Sequence, residues 1–185
     1  QKSNNKKAIA DNLSNLGNLY VSKNQFNTAK KYYTSSLKIY EADNNLLEYC
    51  RDLMRIGNID FLQSKYQSAL IKFHQCLEIS EKNNFTTLTP HLNNNIGYLF
   101  YEFEDYKDAL NYLKIAYEQF SKLNDQYNMA NVLSNIAEID YKLGKTDLAI
   151  KELSESINLF KKNGNWEDLI SPYNCLVKIY IEKKD

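Results

Sequence analysis

Shifted along itself by 40 residues, this chain falls into register again and again. Asn15-Leu16-Gly17-Asn18-Leu19-Tyr20 reappears as Arg55-Ile56-Gly57-Asn58-Ile59-Asp60, then as Asn95-Ile96-Gly97-Tyr98-Leu99-Phe100 and Asn135-Ile136-Ala137-Glu138-Ile139-Asp140. A further copy, Cys175-Leu176-Val177-Lys178-Ile179-Tyr180, follows. A second block keeps the same step: Phe26-Asn27-Thr28-Ala29, Tyr66-Gln67-Ser68-Ala69, Tyr106-Lys107-Asp108-Ala109 and Thr146-Asp147-Leu148-Ala149. A fixed period of this size means one supersecondary unit stacked on copies of itself, burying faces that no single copy could bury alone. Residues 1–185 therefore read as a single repeat domain.

Between the repeated blocks the pattern is helical. Ala29, Tyr33, Ser36 and Leu37 have counterparts Ala69, Phe73, Cys76, Leu77 and Ala109, Leu113, Ala116, Tyr117. Apolar or small residues at i, i+4, i+7 and i+8 form one buried stripe on an α-helix. Leu13, Leu16, Gly17 and Tyr20 do the same in the first half of the unit, and no stretch alternates with period two. The breaks also recur. Asn44, Asn84, Asn124 and Gly164 are residue types that tolerate the left-handed conformation closing a helix, with Asn45, Asp125 and Asn165 placed to cap the next one. Short turns fall at Lys23-Asn24-Gln25, Gln63-Ser64-Lys65, Glu104-Asp105 and Gly144-Lys145. The reading is all-α. Helix pairs are expected near 6–22/26–43, 46–63/66–83, 86–103/106–123 and 126–143/146–163, with a lone helix near 166–183. Each helix would be about 27 Å long at 1.5 Å per residue. Pro90 and Pro172 fall in the leading part of a first helix, where a missing N–H costs least.

Composition narrows the function. Hydrophobic residues make up 43% of the chain and aromatics 13%, enough for a core and too much for a disordered tail. Lys+Arg and Asp+Glu both number 23. The basic excess of a nucleic-acid binder is missing, so no direct nucleic-acid contact is expected. Apolar runs are only a few residues, which argues against membrane contact. The start, Gln1-Lys2-Ser3-Asn4, has neither an initiator methionine nor an apolar signal core, so the chain reads as a piece of a longer protein. Cys50, Cys76 and Cys175 lack metal or redox spacing. Cys76 stands where other copies have Ser36, Ala116 and Ser156, as a small buried residue. A reducing, cytoplasmic compartment is the expected home. No cofactor or metal is expected: His74 aligns with polar positions, His91 has no Cys or second His nearby, and zinc needs several converging ligands. With no Gly-rich phosphate loop and no G-x-S-x-G, the chain reads as a non-enzyme.

These residues resemble the tetratricopeptide repeat, with its Leu-Gly, Tyr, aromatic turn, Ala, aromatic and small-residue pattern. Copy one matches through Leu13, Leu16-Gly17, Tyr20, Phe26, Ala29, Tyr33 and Ser36-Leu37, and copy three through Ile96-Gly97, Tyr106, Ala109 and Ala116. The usual repeat has 34 residues; this one is six longer. The longer variety is similar to kinesin light chains, spindle-orientation adaptors, bacterial peptide-pheromone receptors, and regulators that join such repeats to a helix-turn-helix or a histidine kinase. The resemblance implies a right-handed α-α superhelical solenoid whose first helices line a concave groove for a peptide or protein.

Carried over by register from the Gly, the groove positions in copy one are Asp11, Ser14, Asn15, Asn18 and Val21. Copy two supplies Arg51, Met54, Arg55, Asn58 and Phe61; copy three supplies His91, Asn94, Asn95, Tyr98 and Tyr101. Copy four supplies Asn131, Ser134, Asn135, Glu138 and Tyr141. An Asn amide offers a donor and an acceptor to a peptide backbone whatever its side chains. Tyr supplies contact area, and Arg suits an acidic side chain or a terminal carboxylate. The chain is Asn-rich throughout, so a single Asn means little; Asn94-Asn95 with Asn131 and Asn135 is the defensible cluster. The carboxylate clamp of chaperone-tail binders needs Lys three before the Gly, where Ser14, Met54, Asn94 and Ser134 stand, and is not expected.

Two functions remain. The leading one is a peptide- or protein-binding scaffold, the sensory or adaptor part of a bacterial signalling or transcription-regulatory protein. The other is an assembly module that self-associates through its solenoid ends. At the C-terminal helix Leu176, Ile179 and Tyr180 keep apolar character, while Glu182, Lys183 and Lys184 crowd only the tip. Further repeats, an effector domain or a dimer partner are expected to cover that face.

Overall fold

The computed structural model describes residues 2–183, with side chains described over 5–183. Lys184, part of the basic tip, lies outside the described residues. The described elements are α1 Lys2–Ser22, α2 Phe26–Ala42, α3 Leu46–Leu62, α4 Tyr66–Lys82, α5 Thr89–Glu102, α6 Tyr106–Lys122, α7 Gln126–Lys142, α8 Thr146–Lys162 and α9 Ile170–Glu182. A 3-10 turn at Glu167–Leu169 precedes α9, and no strand occurs among the described residues. The fold is all-α, built of antiparallel helical hairpins.

One turn chemistry serves every break. Asn24, Ser64, Glu104 and Gly144 within hairpins, and Asn44, Asn84, Asn124 and Gly164 between them, all have φ between 53° and 77°. The next amide then donates to the carbonyl five residues back, as Lys65 N does to Asp60 O at 2.8 Å and Asn45 N to Tyr40 O at 2.8 Å. This bond satisfies a carbonyl the helix end leaves open. Asn and Gly fit that conformation readily, whereas Ser64 and Glu104 hold it against their own preference. Asn45 and Asp125 cap α3 and α7 by accepting from Glu48 N and Asn128 N, and Asp105 does the same for α6 through Asp108 N.

Three helix starts differ from expectation: α1 begins at Lys2 and not at 6, and proline is the reason for the other two. The helix expected from 86 begins at Thr89, with Pro90 its second residue; the helix expected from 166 begins at Ile170, with Pro172 its third. A proline lacks the N–H for an i→i−4 bond and disfavours helical backbone before it. The residues ahead therefore take tighter turns, such as Leu88 N to Phe85 O at 2.9 Å. Asn165, expected as a cap, caps nothing, because Trp166 N turns back to Gly164 O.

The chain divides into two compact units, residues 1–92 and 93–185. In the first, α1 pairs with α2 and α3 with α4, around Ala29, Tyr33, Ile56 and Ile59. In the second, Leu113, Ala116 and Phe120 of α6 pack on Val132, Ile136 and Ile139 of α7, while Leu153 of α8 packs beside Ala137 and Ile179. Gly57 is required by a close approach: a Cβ there would lie 2.5 Å from Phe73 Cε1. At Gly97 it would lie 2.8 Å from Leu113 Cγ. A large side chain of the second helix thus presses on the backbone of the first.

Buried carboxylates differ between the units. Asp60 is fully buried in unit one and held by Lys30, by Lys72 at 2.8 Å and by Ser68 Oγ at 2.9 Å. Burial alone would raise its carboxyl, but these donors outweigh it and hold it below the ordinary value. Its counterpart Asp140 in unit two has Lys145 at 2.8 Å, while Leu110, Leu148 and Glu152 occupy the positions of Lys30, Ser68 and Lys72. Glu152 Oε2 is buried with no hydrogen-bond partner among the described residues.

Candidate functional site

Unit one has a cleft of ≈330 Å³ lined by Arg51, Met54, Arg55, Thr87, Leu88 and His91. Arg51, Met54 and Arg55 stand one helical turn or less apart on α3. His91 reaches the same place because Pro90 delays the start of α5, leaving Thr87 and Leu88 as the rim. Both guanidinium groups are anchored from one side: Arg51 Nη1 donates to Glu48 at 2.7 Å and Arg55 Nη1 to Asp52 at 2.6 Å. Asp52 is fully buried and also accepts from Ser14 Oγ and Ser36 Oγ. It fixes Arg55, which in turn lies 5.9 Å from the Tyr33 ring centre. A guanidinium carries five N–H donors in a rigid fork. One bond to a neighbour thus orients it and leaves donors for an anionic or carbonyl oxygen.

Ser14 was expected in the groove and is not there. It is buried, donating to Ala10 O at 3.1 Å and to Asp52, so it belongs to the carboxylate's support. Ser134 is likewise turned inward, 2.8 Å from Ser156 Oγ. Asn15, Asn18 and Asn58 are exposed on α1 and α3, outside the lining of the cleft. Asn18 Oδ1 accepts from Tyr33 Oη at 2.7 Å.

Unit two has a cleft of ≈570 Å³ formed by α7, the 3-10 turn and α9. Asn131, Glu138 and Tyr141 of the expected set line it, opposite Ser171, Asn174, Cys175 and Lys178. Those last four were not among the expected groove residues, yet they obey the same spacing. Taking Val177 as the Gly equivalent, they lie six, three and two residues before it and one after. The missed signal was the repeat itself, carried one copy too few. Lys142, Glu167 and Asp168 complete the charged rim.

Inter-helix bonds organise this surface. Tyr101 Oη donates to Glu138 Oε1 at 2.8 Å and stacks on Tyr98 with ring centres 5.7 Å apart. Burial, then the bond to Glu138, raises the Tyr101 phenol well above its ordinary value. Asn135 Nδ2 donates to Asn94 Oδ1 at 3.4 Å, bringing together two of the four amides expected to cluster. Asn131 Nδ2 donates to the carbonyl of Tyr127 at 3.1 Å, and Asn95 is half-buried on α5. Tyr141 donates to Glu182, which pushes its phenol up to about 12, and Lys178 Nζ lies 5.7 Å from its ring centre. Burial and the nearby Glu138 raise the Cys175 thiol. The cleft thus mixes amides, phenols and both charges, whereas the first is cationic.

Among the described residues no three His, Cys, Asp or Glu side chains converge as metal ligands, and no helix is long and apolar enough to cross a membrane.

Models of the tetratricopeptide repeat match residues 10–43 and 88–162. No curated protein matches the chain. Among solved structures it is similar to the apo form of RapI, at 22% identity and TM-score 0.76, covering 85% of this chain and 44% of that one. It is also similar to aspartyl phosphate phosphatase F from Bacillus subtilis, at 21% identity and TM-score 0.81 over 87% of this chain and 42% of that one. A third is the Rap conjugation gene regulator of plasmid pLS20 in complex with a Phr peptide, at 17% identity and TM-score 0.77, covering 85% of this chain and 43% of that one. The chain spans less than half the length of these three proteins, and identities this low carry the fold alone. The family models, the hairpins joined by one recurring turn and the Gly seats under the second helix agree: the chain belongs to the tetratricopeptide-repeat family.

Proposed function

We propose that residues 1–185 form a repeat domain that binds a peptide or protein segment along its first helices and does no chemistry on it. The observation that carries this reading is that both clefts are lined largely by the same register positions of successive first helices. One offers Arg51, Arg55 and His91; the other offers Asn131, Glu138, Tyr141, Asn174 and Lys178. Amides and phenols at a regular rise suit an extended backbone, and the charges select its side chains. That a protein of similar fold was solved holding a Phr peptide supports the reading. The likeness to Rap proteins favours a sensory or adaptor role in bacterial signalling or transcription control, in the cytoplasm.

The test is a peptide array probed with the labelled chain, followed by polarisation titrations of the strongest binder. Replacing both Asn94 and Asn135 by Ala is expected to weaken that binder about fivefold or more, since a hydrogen bond is worth about 1 kcal/mol. If no peptide binds above background, or if neither this double variant nor Asn174→Ala changes the affinity, the reading fails.

A further inference from the structure

The two anchors of the unit-one cleft are unequal. Arg55 is held by Asp52, which is fully buried and also accepts from Ser14 and Ser36. Were the guanidinium to leave, a buried carboxylate would lose its only counter-charge, so Arg55 is fixed. Arg51 is held by Glu48, whose side chain keeps 23% of its surface in solvent, through one nitrogen at 2.7 Å. A pair that exposed contributes little and releases easily, because both charges can return to water. Lys7, the other cation near Glu48, is taken up by Asp11 at 2.8 Å.

The repeat does not ask for these charges. The other full copies place Ala8, Leu88 and Asn128 at the Glu48 position, and Asn15, Asn95 and Asn135 at the Arg55 position. Both ion pairs are therefore particular to copy two, where the cationic cleft is. Arg51 and Arg55 stand one helical turn apart on α3, a separation of about 5–6 Å between β-carbons. A carboxylate entering the cleft at that spacing can accept from both forks, one oxygen on each, whereas Glu48 accepts from a nitrogen of Arg51. The incoming group thus offers Arg51 a partner that is shared with a fixed second cation.

We propose that Glu48 is an internal competitor for this cleft, occupying Arg51 as the carboxylate of a bound segment would. An acidic group of that segment draws Arg51 off Glu48 and is held between Arg51 and Arg55, while Asp52 keeps Arg55 in place. Glu48 then turns to water, and its hold on Arg51 sets how strongly the cleft selects acid. This rests on the peptide reading of the cleft.

The probes are three labelled peptides made from the strongest array binder that contains one Glu. They are that peptide with an amidated C-terminus, its Gln counterpart, and the Gln counterpart with a free C-terminal carboxylate. In polarisation titrations Glu48→Gln is expected to tighten the Glu peptide about two- to fivefold, the release of one exposed ion pair, and to leave the Gln amide unchanged. The gain should vanish in the Arg51→Gln background, where Glu48 has nothing to compete for, and persist in the Arg55→Gln background. A gain for the free C-terminus in place of the Glu side chain supports the proposal with a terminal carboxylate as occupant. The proposal is overturned if neither carboxylate peptide gains, if the Gln amide gains equally, or if the gain survives without Arg51, as a mere change of local field would give. Any of these with peptide still bound leaves the peptide reading standing; a chain that binds none of the probes overturns both.

Discussion

Glu152 is expected to oppose folding at neutral pH, and the comparison with Lys72 says why. Lys72 at the same position in unit one neutralises Asp60; Glu152 instead adds a second carboxyl beside Asp140. Burial first, and Asp140 next, raise the Glu152 carboxyl to about 7 from 4.5, with Lys114 and Lys145 opposing and Glu155 adding to the rise. The folded state therefore holds the proton more tightly than the unfolded state does. The favourable contribution is complete below about pH 4.5, where both states are protonated, and is lost as pH rises through 7. At about 1.4 kcal/mol per pH unit the span corresponds to at most about 3.5 kcal/mol. Partial exposure reduces this to about 1–2 kcal/mol. Glu152→Gln keeps the shape and removes the charge. It should stabilise the protein by about that amount at pH 8, raising the melting midpoint by about 2–4 °C per kcal/mol, and by less at pH 5. Glu152→Lys rebuilds the Asp60 arrangement and should gain at least as much. Melts followed by circular dichroism between pH 5 and 8 read the difference between variant and parent, in which the other carboxylates cancel. If Glu152→Gln destabilises at pH 8, or leaves the pH slope of the parent unchanged, the carboxyl pair does not oppose folding.

Three further outcomes follow from the packing. Asp52→Ala frees Arg55 from its anchor, while Ser14 and Ser36 keep their bonds to Ala10 O and Tyr33 O, and should cost about 1–3 kcal/mol in urea unfolding through the lost hydrogen bonds. Gly97→Leu should cost about 1–3 kcal/mol by driving α5 from Leu113; an unchanged midpoint would refute the close seat. Replacing both Arg51 and Arg55 by Gln should weaken an acidic peptide more than a neutral one, with a difference that shrinks as salt rises from 0.05 to 0.5 M, about a threefold change in Debye length. A salt-independent difference would place the acidic contact elsewhere.

Helices were legible because the period repeats their faces: Ala29, Tyr33 and Ser36 announce a buried stripe once, and Ala69, Phe73 and Cys76 repeat it. The eight breaks were legible in the same way, but only the four at Asn44, Asn84, Asn124 and Gly164 as left-handed; at Ser64 and Glu104 the residue type hid a conformation that the recurring position imposes. Helix starts at Pro90 and Pro172 were misplaced because a proline fixes where α-helical bonding can begin, and periodicity runs through that point unchanged. Ser14 was misplaced for a different reason. Its partner, Asp52, lies 38 residues away, and the equivalent positions are Asn12, Leu92 and Val132. A contact made in one copy alone leaves no periodic trace.

The same contrast locates function. Positions alike in every full copy, such as Ala29, Ala69, Ala109 and Ala149, are those where the core leaves no choice. Positions lining the clefts are free to differ and do: Arg51 becomes His91, then Asn131, then Ser171, each of them a cleft residue. A uniform scaffold would hold successive ligand residues alike. Here one cleft is lined by Arg51, Arg55 and His91 and the other by amides, phenols and both charges, so each would select a different ligand residue. Val177 is informative because it breaks this division, placing a variable, bulky residue where the fold elsewhere demands Gly or Ala.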